Sequence, residues 1–490
     1  MARMASRLRI GLATSLAASL AACSMAPPYR PPTIAPVTAF KEAGPWQPAY
    51  PAPLDAHSPW WSVFQDAALD RLEHQLDGDN PTLSGALGRY DEARAYLAQV
   101  QGDLLPSVGL NADLTHNRQS DNRPLRGANQ PDLYPADTIG GSIAYDLDLW
   151  GRVRNRVAAG KAEAAASADD LAAIKLSLEA QLATAYISLR GYDQQIGLLS
   201  AAVDAYGKAD AMTERRFRGG IASGLDTSRS GTQLAEAQAQ LADVTAARAL
   251  TEHAIASLIG TPASVFSLPV TTTPLALPAP PAAIASTLLQ RRPDVAAAER
   301  RMAAANAEIG VARAAFFPDI TLGGQGGFQN TGLPALLTAP NLFWSVGPSA
   351  VLSLFDGGKR RAQVAIARAG WTQATADYRA QVLRAFQDVE DNLARLHFYG
   401  AEAEAEKRAV DQAGQTEQLS MNRYVKGAVS YLDVVTAQTT ALRTRRQALT
   451  LDTLRLQASV NLIRALGGGW TNPAQTAAAA PGSPALRGGA

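Results

Sequence analysis

Two long stretches of the chain contain no proline and place their apolar residues at helical spacing. In the first, Gly151 to Thr261, the residues Leu182, Tyr186, Leu189, Ile196, Leu199, Val203 and Tyr206 follow one another at steps of three, four or seven. In the second, Ser349 to Asn472, the series is Tyr378, Val382, Phe386, Val389, Leu393 and Leu396. Both tracts are rich in Ala, Gln, Glu and Arg, which favours helix and makes the apolar stripes coiled-coil seams. Glycines interrupt each tract near its middle: Gly219, Gly220 and Gly224 in one, Gly427 in the other. The pattern predicts two antiparallel helical hairpins, over 151–261 and 358–466. An arm of about 65 residues would be roughly 100 Å long, a length suited to a duct and not to a globule.

Four other segments, near 105–118, 136–149, 317–329 and 342–355, alternate with period two. Val108, Leu110, Ala112 and Leu114 oppose Ser107, Asn111, Asp113 and Thr115. Ile139, Ile143, Tyr145, Leu147 and Leu149 oppose Ser142, Asp146 and Asp148. Ile320, Leu322 and Phe328 oppose Asp319, Thr321 and Gln325, and Leu342, Trp344, Val346, Ala350, Leu352 and Leu354 oppose Ser345, Ser349 and Ser353. Strands of this kind suit either a membrane barrel with one lipid-facing side or a soluble sheet laid on the helices.

The chain also repeats itself. Pro81 to Pro106 and Pro293 to Pro318 have the same length, with Leu104-Leu105-Pro106 matched by Phe316-Phe317-Pro318. At the hairpin turns, Arg216-Phe217-Arg218-Gly219-Gly220-Ile221-Ala222-Ser223-Gly224-Leu225-Asp226 aligns with Arg423-Tyr424-Val425-Lys426-Gly427-Ala428-Val429-Ser430-Tyr431-Leu432-Asp433. Each half thus has the order helix, strand, loop, strand, helical hairpin, which points to duplication. Four strands cannot close a barrel in lipid, where the smallest closed forms have ~8 strands and an open edge leaves backbone groups unpaired. Several copies must pool their strands.

Composition adds an address. Arg3, Arg7 and Arg9 precede an apolar run from Ile10 to Ala22, the layout of a signal peptide over 1–22. Residues 23–59 are Pro-rich and read as a tether; 60–261 and 284–466 are the two repeats, joined by a Pro-rich linker over 262–283, and 467–490 is a flexible tail. The formal charge is +1, and losing the three leader arginines leaves about −2, so charge offers no case for nucleic acid as a partner.

Leu20-Ala21-Ala22-Cys23 resembles a bacterial lipobox, and Cys23 is the only cysteine. The resemblance implies lipid on Cys23, with Ser24 after it favouring delivery to the outer membrane. Together with the duplication, the paired strands and the two Arg-aromatic-x-x-Gly-x-x-Ser-x-Leu-Asp turns, the chain is similar to TolC and OprM type outer-membrane factors of the NodT-like lipoprotein branch. That resemblance covers roughly Trp60 to Leu466. It implies a mixed α and β membrane protein: a trimer with a shared 12-stranded transmembrane β-barrel and a 12-helix periplasmic α-barrel. It further implies a lipid-anchored exit duct in the outer membrane of a Gram-negative bacterium. A periplasmic adaptor and an inner-membrane RND-type transporter would be its partners, and drugs or other small toxic compounds its cargo. The same fold serves protein secretion, and a coiled-coil lipoprotein without a pore would share the helices but would not require the strands.

The turns hold the candidate functional residues. Ser223 with Asp226, and Ser430 with Asp433, form capping-box variants, and Gly220 and Gly427 suit reversals at positive φ. In the resembling family these turns form the closed periplasmic tip, where Asp433 matches a constriction-lining aspartate. Thr436 stands where members of the TolC type carry a second carboxylate, so this sequence departs from the double acidic ring that the resemblance implies. Arg216, Arg423 and Tyr424 could bridge neighbouring hairpins. Gly323-Gly324-Gln325-Gly326-Gly327 lacks the Lys-Ser or Lys-Thr of a phosphate loop and fits a curved strand. His57, His74, His116, His253 and His397 show no ligand spacing. No nucleophile elbow is present. The expectation is a conduit without catalysis, metal or cofactor beyond the lipid.

Overall fold

The computed structural model describes residues 24–32, 40–41, 59–120, 122, 131–278 and 292–468. The signal peptide, Cys23, most of the tether and nearly all of the tail lie outside them. A 3-10 turn at Trp60–Phe64 leads into α1 (Ala67–Asp79) and α2 (Pro81–Gly102), followed by β1 (Ser107–Arg118) and β2 (Leu133–Asp146). The first hairpin is α3 (Arg152–Arg218) and α4 (Gly224–Leu258). The second half runs α5 (Pro293–Ala314), β3 (Asp319–Asn330), β4 (Leu342–Val351), α6 (Lys359–Val425) and α7 (Tyr431–Ala465). The duplication extends to lengths: α3 and α6 each have 67 residues, α4 and α7 each 35. Among the described residues, no helix is long and apolar enough to cross a membrane.

Compactness cuts across the repeats. One unit gathers residues 1–33, 89–168 and 297–378; the other gathers 34–88, 169–296 and 379–490. Each draws on both halves of the chain.

The first unit contains a four-stranded antiparallel meander in the order β1-β2-β3-β4. Its register places Val108 opposite Ile143, Ile139 opposite Phe328, and Gly324 opposite Val346. Directly paired residues share a face, so the apolar positions of all four strands fall on one side. Leu110 is 84 % exposed and Trp344 74 % exposed, which means that the chain leaves this face uncovered. A soluble sheet packed on its own helices is thereby excluded. Among the described residues, β1 and β4 also have no partner on their outer edges.

Two strands stop earlier than the alternation suggested. β2 ends at Asp146, and Asp148 takes φ 42°. Its carboxylate accepts from the backbone N–H groups of Val153 and Arg154, both at 2.9 Å. Asp148 is therefore an anchor for the start of α3; Leu147 N still donates to Ile320 O at 3.0 Å just past the strand, and Leu149 lies in the turn. Likewise β4 ends at Val351, and Asp356 accepts from Gly358 N at 3.0 Å and Arg360 N at 3.1 Å. Leu352 and Leu354 lie outside the strand. In both places a carboxylate aimed at unpaired helical N–H groups outweighs the apolar alternation.

The tether, too, is more than a spacer where it is described. Asn306 donates to the Pro27 carbonyl at 2.9 Å, Arg313 to that of Met25 at 3.3 Å, and Ser24 Oγ to Asn155 Oδ1 at 2.8 Å. Tyr29 hydroxyl donates to the Glu299 carboxylate. The segment therefore lies docked along α5.

In the second unit the core joins Trp60, Trp61, Phe64, Leu69, Leu72 and Leu76 to Leu182, Tyr186 and Leu189 of the predicted seam, with Ile255, Ile259, Val460 and Ile463. Asp66 caps α1, accepting from Ala68 N at 2.8 Å and Leu69 N at 3.0 Å. The Pro-rich linker is fastened across its described part. Arg248 donates to Leu268 O at 2.7 Å, Thr271 N to Asp193 Oδ2 at 3.0 Å, and Arg190 to Thr273 O at 2.8 Å. An extended segment without its own backbone pairs thus finds partners in helix side chains.

Candidate gate at the hairpin turns

Both hairpins reverse by one device. In the first, Ile221 N donates to Arg216 O at 2.8 Å and Gly220 N to Phe217 O at 2.9 Å, with Gly220 at φ 72°. In the second, Ala428 N donates to Arg423 O at 2.9 Å and Gly427 N to Tyr424 O at 2.9 Å, with Gly427 at φ 74°. These are Schellman closures, whose positive φ favours glycine. The returning helices then start on capping boxes. Ser223 N and Oγ donate to Asp226 Oδ2 at 3.2 and 2.9 Å. Ser430 N and Oγ donate to Asp433 Oδ2 at 3.1 and 2.8 Å.

The two turns differ in what surrounds this frame. Tyr424 and Tyr431 meet edge to face with centroids 5.2 Å apart, and both are buried with Val434 beside Met212, Met421, Val429 and Val435. The equivalent positions of the first turn are Phe217, exposed, and Gly224, exposed. Tyr431 was not among the candidates from the sequence. Its signal was available: an aromatic residue stands where the other repeat has glycine. Burial pushes its phenol up to about 12, with repulsion from Tyr424, Asp210, Tyr206 and Asp226 in the same direction.

Arg216 joins the turns. Its guanidinium lies 4.8 Å from the centroid of the Tyr424 ring and donates to the Tyr424 carbonyl at 3.3 Å. The first hairpin thereby grips the second within one chain. Arg423 is exposed and takes no part in this contact, and Asp433 is exposed while Asp226 is half-buried. The arrangement offers fixed turns, one aromatic cluster and an acidic group facing solvent. It has the makings of a closure held by modest contacts, since a cation over an aromatic ring contributes ~0.5–2 kcal/mol.

The sequence and the fold both have known counterparts. The family model described as "Outer membrane efflux protein" matches residues 72–261 and 284–468. The outer membrane protein OprJ of Pseudomonas aeruginosa is 32 % identical over 414 residues, 84 % of this chain and 86 % of OprJ. SilC of Salmonella typhimurium, a probable outer membrane lipoprotein, is 29 % identical over 412 residues, 84 % of this chain and 88 % of SilC. The structure of the outer-membrane channel OprN superposes with a TM-score of 0.81 at 28 % identity, covering 91 % of this chain and all of that one. An uncovered apolar sheet face, two long hairpins and these likenesses converge: the chain belongs to the outer membrane efflux protein family and is an outer-membrane channel for efflux.

Proposed function

We propose that the chain works as a homotrimeric exit duct, lipidated at Cys23, for a tripartite pump in which a periplasmic adaptor and an inner-membrane RND-type transporter supply docking and energy. The observation that carries this reading is the four-stranded sheet with an uncovered apolar face and two edges that are unpaired among the described residues. Each unpaired backbone group in lipid costs several kcal/mol. Three copies would pool twelve strands, enough for a closed wall in which β1 of one copy pairs with β4 of the next. The lipid on Cys23 is supported by the leader ending in Leu20-Ala21-Ala22-Cys23 and by the lipoprotein relative.

The turns are the gate of this duct. Asp433, repeated around the axis, would crowd carboxylates into one constriction, and Arg216 on Tyr424 would hold the tip closed until a partner substitutes its own contacts. Light scattering of the detergent-solubilised chain tests the assembly. A trimer is expected, and a folded monomer would overturn it. Intact mass tests the anchor, where a mature N-terminus without acyl chains would remove Cys23 from the reading.

A further inference from the structure

Helix α1 buries a glutamate that finds no hydrogen-bond partner among the described residues. Glu73 is 0 % exposed, and neither of its carboxyl oxygens meets a donor. The helix is embedded in the core formed by Trp60, Leu72, Leu76, Leu178, Leu182 and Ile259. A carboxylate placed there without partners would cost several kcal/mol, a penalty that proteins avoid by keeping the group protonated.

The charged groups acting on Glu73 are Glu179 and Lys175 of α3 and Asp77 of its own helix. The other helices that pack on this core, α4 and α7, bring Ile255, Val460 and Ile463. Glu179 accepts from Trp60 Nε1 at 2.8 Å. Lys175 Nζ lies 2.7 Å from Asp77 Oδ2 and 3.7 Å from Glu179 Oε1. Asp77 Oδ1 is buried and unpartnered as well. Asp77 and Glu179 thus share one ammonium, and neither oxygen of Glu73 has a hydrogen-bond partner among the described residues. Full ionisation would leave an excess of two negative charges in the seam between α1 and α3.

We propose that Glu73 and Glu179 form a buried proton-binding site, in which the proton kept on the pair holds α1 against α3 and its release loosens that seam. The site is independent of the gate and uses none of its residues. Burial, then repulsion from Glu179 and Asp77, pushes Glu73 up to about 10. Burial pushes Glu179 up to about 7, opposed by the Trp60 hydrogen bond and by Lys175. The pair therefore carries two protons in acid, one above neutrality and none in strong alkali.

The sign follows from linkage. Once α1 separates, both carboxyls return to the ordinary value of 4.5, so the docked state binds more protons than the opened one. Its advantage is complete below that value and declines as pH rises through about 7 for Glu179 and about 10 for Glu73. Between pH 7 and 9 the remaining proton governs, and opening of α1 becomes about tenfold easier per pH unit.

Hydrogen exchange of peptides covering 67–79 in the full-length, detergent-solubilised protein tests this, after correction for the intrinsic pH dependence of exchange. The expected result is about a hundredfold rise in opening between pH 7 and 9. Glu73→Gln, which keeps the shape of the protonated group, should flatten that rise to less than about threefold. Asp411→Asn, on an exposed position of α6, should leave it intact. A flat wild-type profile, or a Glu73→Gln profile as steep as wild type, overturns the proposal. Should Glu73→Gln fail to fold, infrared spectroscopy of the wild type decides. A protonated-carboxyl band at pH 8 that disappears in strong alkali supports the site, and its absence at pH 8 overturns it.

Discussion

Gly140 and Gly327 stand opposite one another across β2 and β3, and a Cβ on Gly327 would lie 2.2 Å from the Ile139 carbonyl oxygen and 2.4 Å from Gly140 Cα. The close approach is backbone against backbone, so neither side can yield by turning a side chain. Gly327→Ala should destabilise the sheet by about 1–3 kcal/mol, the range for overpacking. Heat-dependent migration of the folded barrel on gels would show it as a lowered transition temperature. Gly347→Ala, where nothing lies within 4 Å of the added carbon, should change the transition far less.

Asp433→Ala and Asp226→Ala remove equivalent caps, and each should cost about 0.5–2 kcal/mol of local helix stability. Planar-bilayer recordings separate their roles. If symmetry-related Asp433 carboxylates crowd the constriction, Asp433→Ala alters ion selectivity or divalent-cation block, and Asp226→Ala does not. Equal effects from both would count against placing the constriction at the second turn.

The Tyr424 hydroxyl is buried without a partner among the described residues. Tyr424→Phe keeps the ring under Arg216 and beside Tyr431 while removing a desolvated polar group. It should be neutral or stabilising by up to about 1 kcal/mol. Tyr424→Ala removes the ring itself and should cost about 3–5 kcal/mol as a large-to-small change at a buried site. Hydrogen exchange across 421–436 distinguishes the two.

Asp193 is fully buried and accepts from Arg248 Nε at 2.7 Å and from Thr271 N. Asp193→Ala would leave Arg248 with Glu252, 3.3 Å away, as its remaining carboxylate partner and release the backbone of the linker at Thr271. A loss of about 1–3 kcal/mol is expected, the range for removing one partner of a buried hydrogen bond to a charged group. Asp193→Asn, which keeps an acceptor for Thr271 N, should lose less in thermal unfolding.

What the sequence disclosed was whatever depends on periodicity. Leu182, Tyr186, Leu189 and Leu199 are buried where the helical stripe placed them, because that stripe records which face excludes water. The strands followed for the same reason: Val108, Ile139, Phe328 and Val346 share the face that alternation assigns. Strand ends did not follow, since Asp148 and Asp356 act through local side-chain-to-backbone hydrogen bonds that leave no period. At the turns, the cap residues were legible from the Ser-x-x-Asp pattern, and their local geometry is that of capping boxes. The contact of Arg216 with Tyr424 was not legible as an intrachain grip, because residues 208 positions apart meet only through tertiary packing. Tyr431 carries no periodic signal of its own and stands out only against its counterpart Gly224 in the other repeat.

The equal helix lengths in the two repeats impose a coupling on how such a chain can change. Removing one helical turn from an arm of the first hairpin would shift its tip by about 5.4 Å. Arg216 would then stand a full turn away from Tyr424 and could not reach its ring. A length change in one repeat therefore keeps this contact only if the other repeat changes to match, so insertions and deletions in the arms preserve it only as register-preserving pairs. Shortened ducts would have to be engineered in the same paired fashion, with both arms of both hairpins cut at corresponding positions.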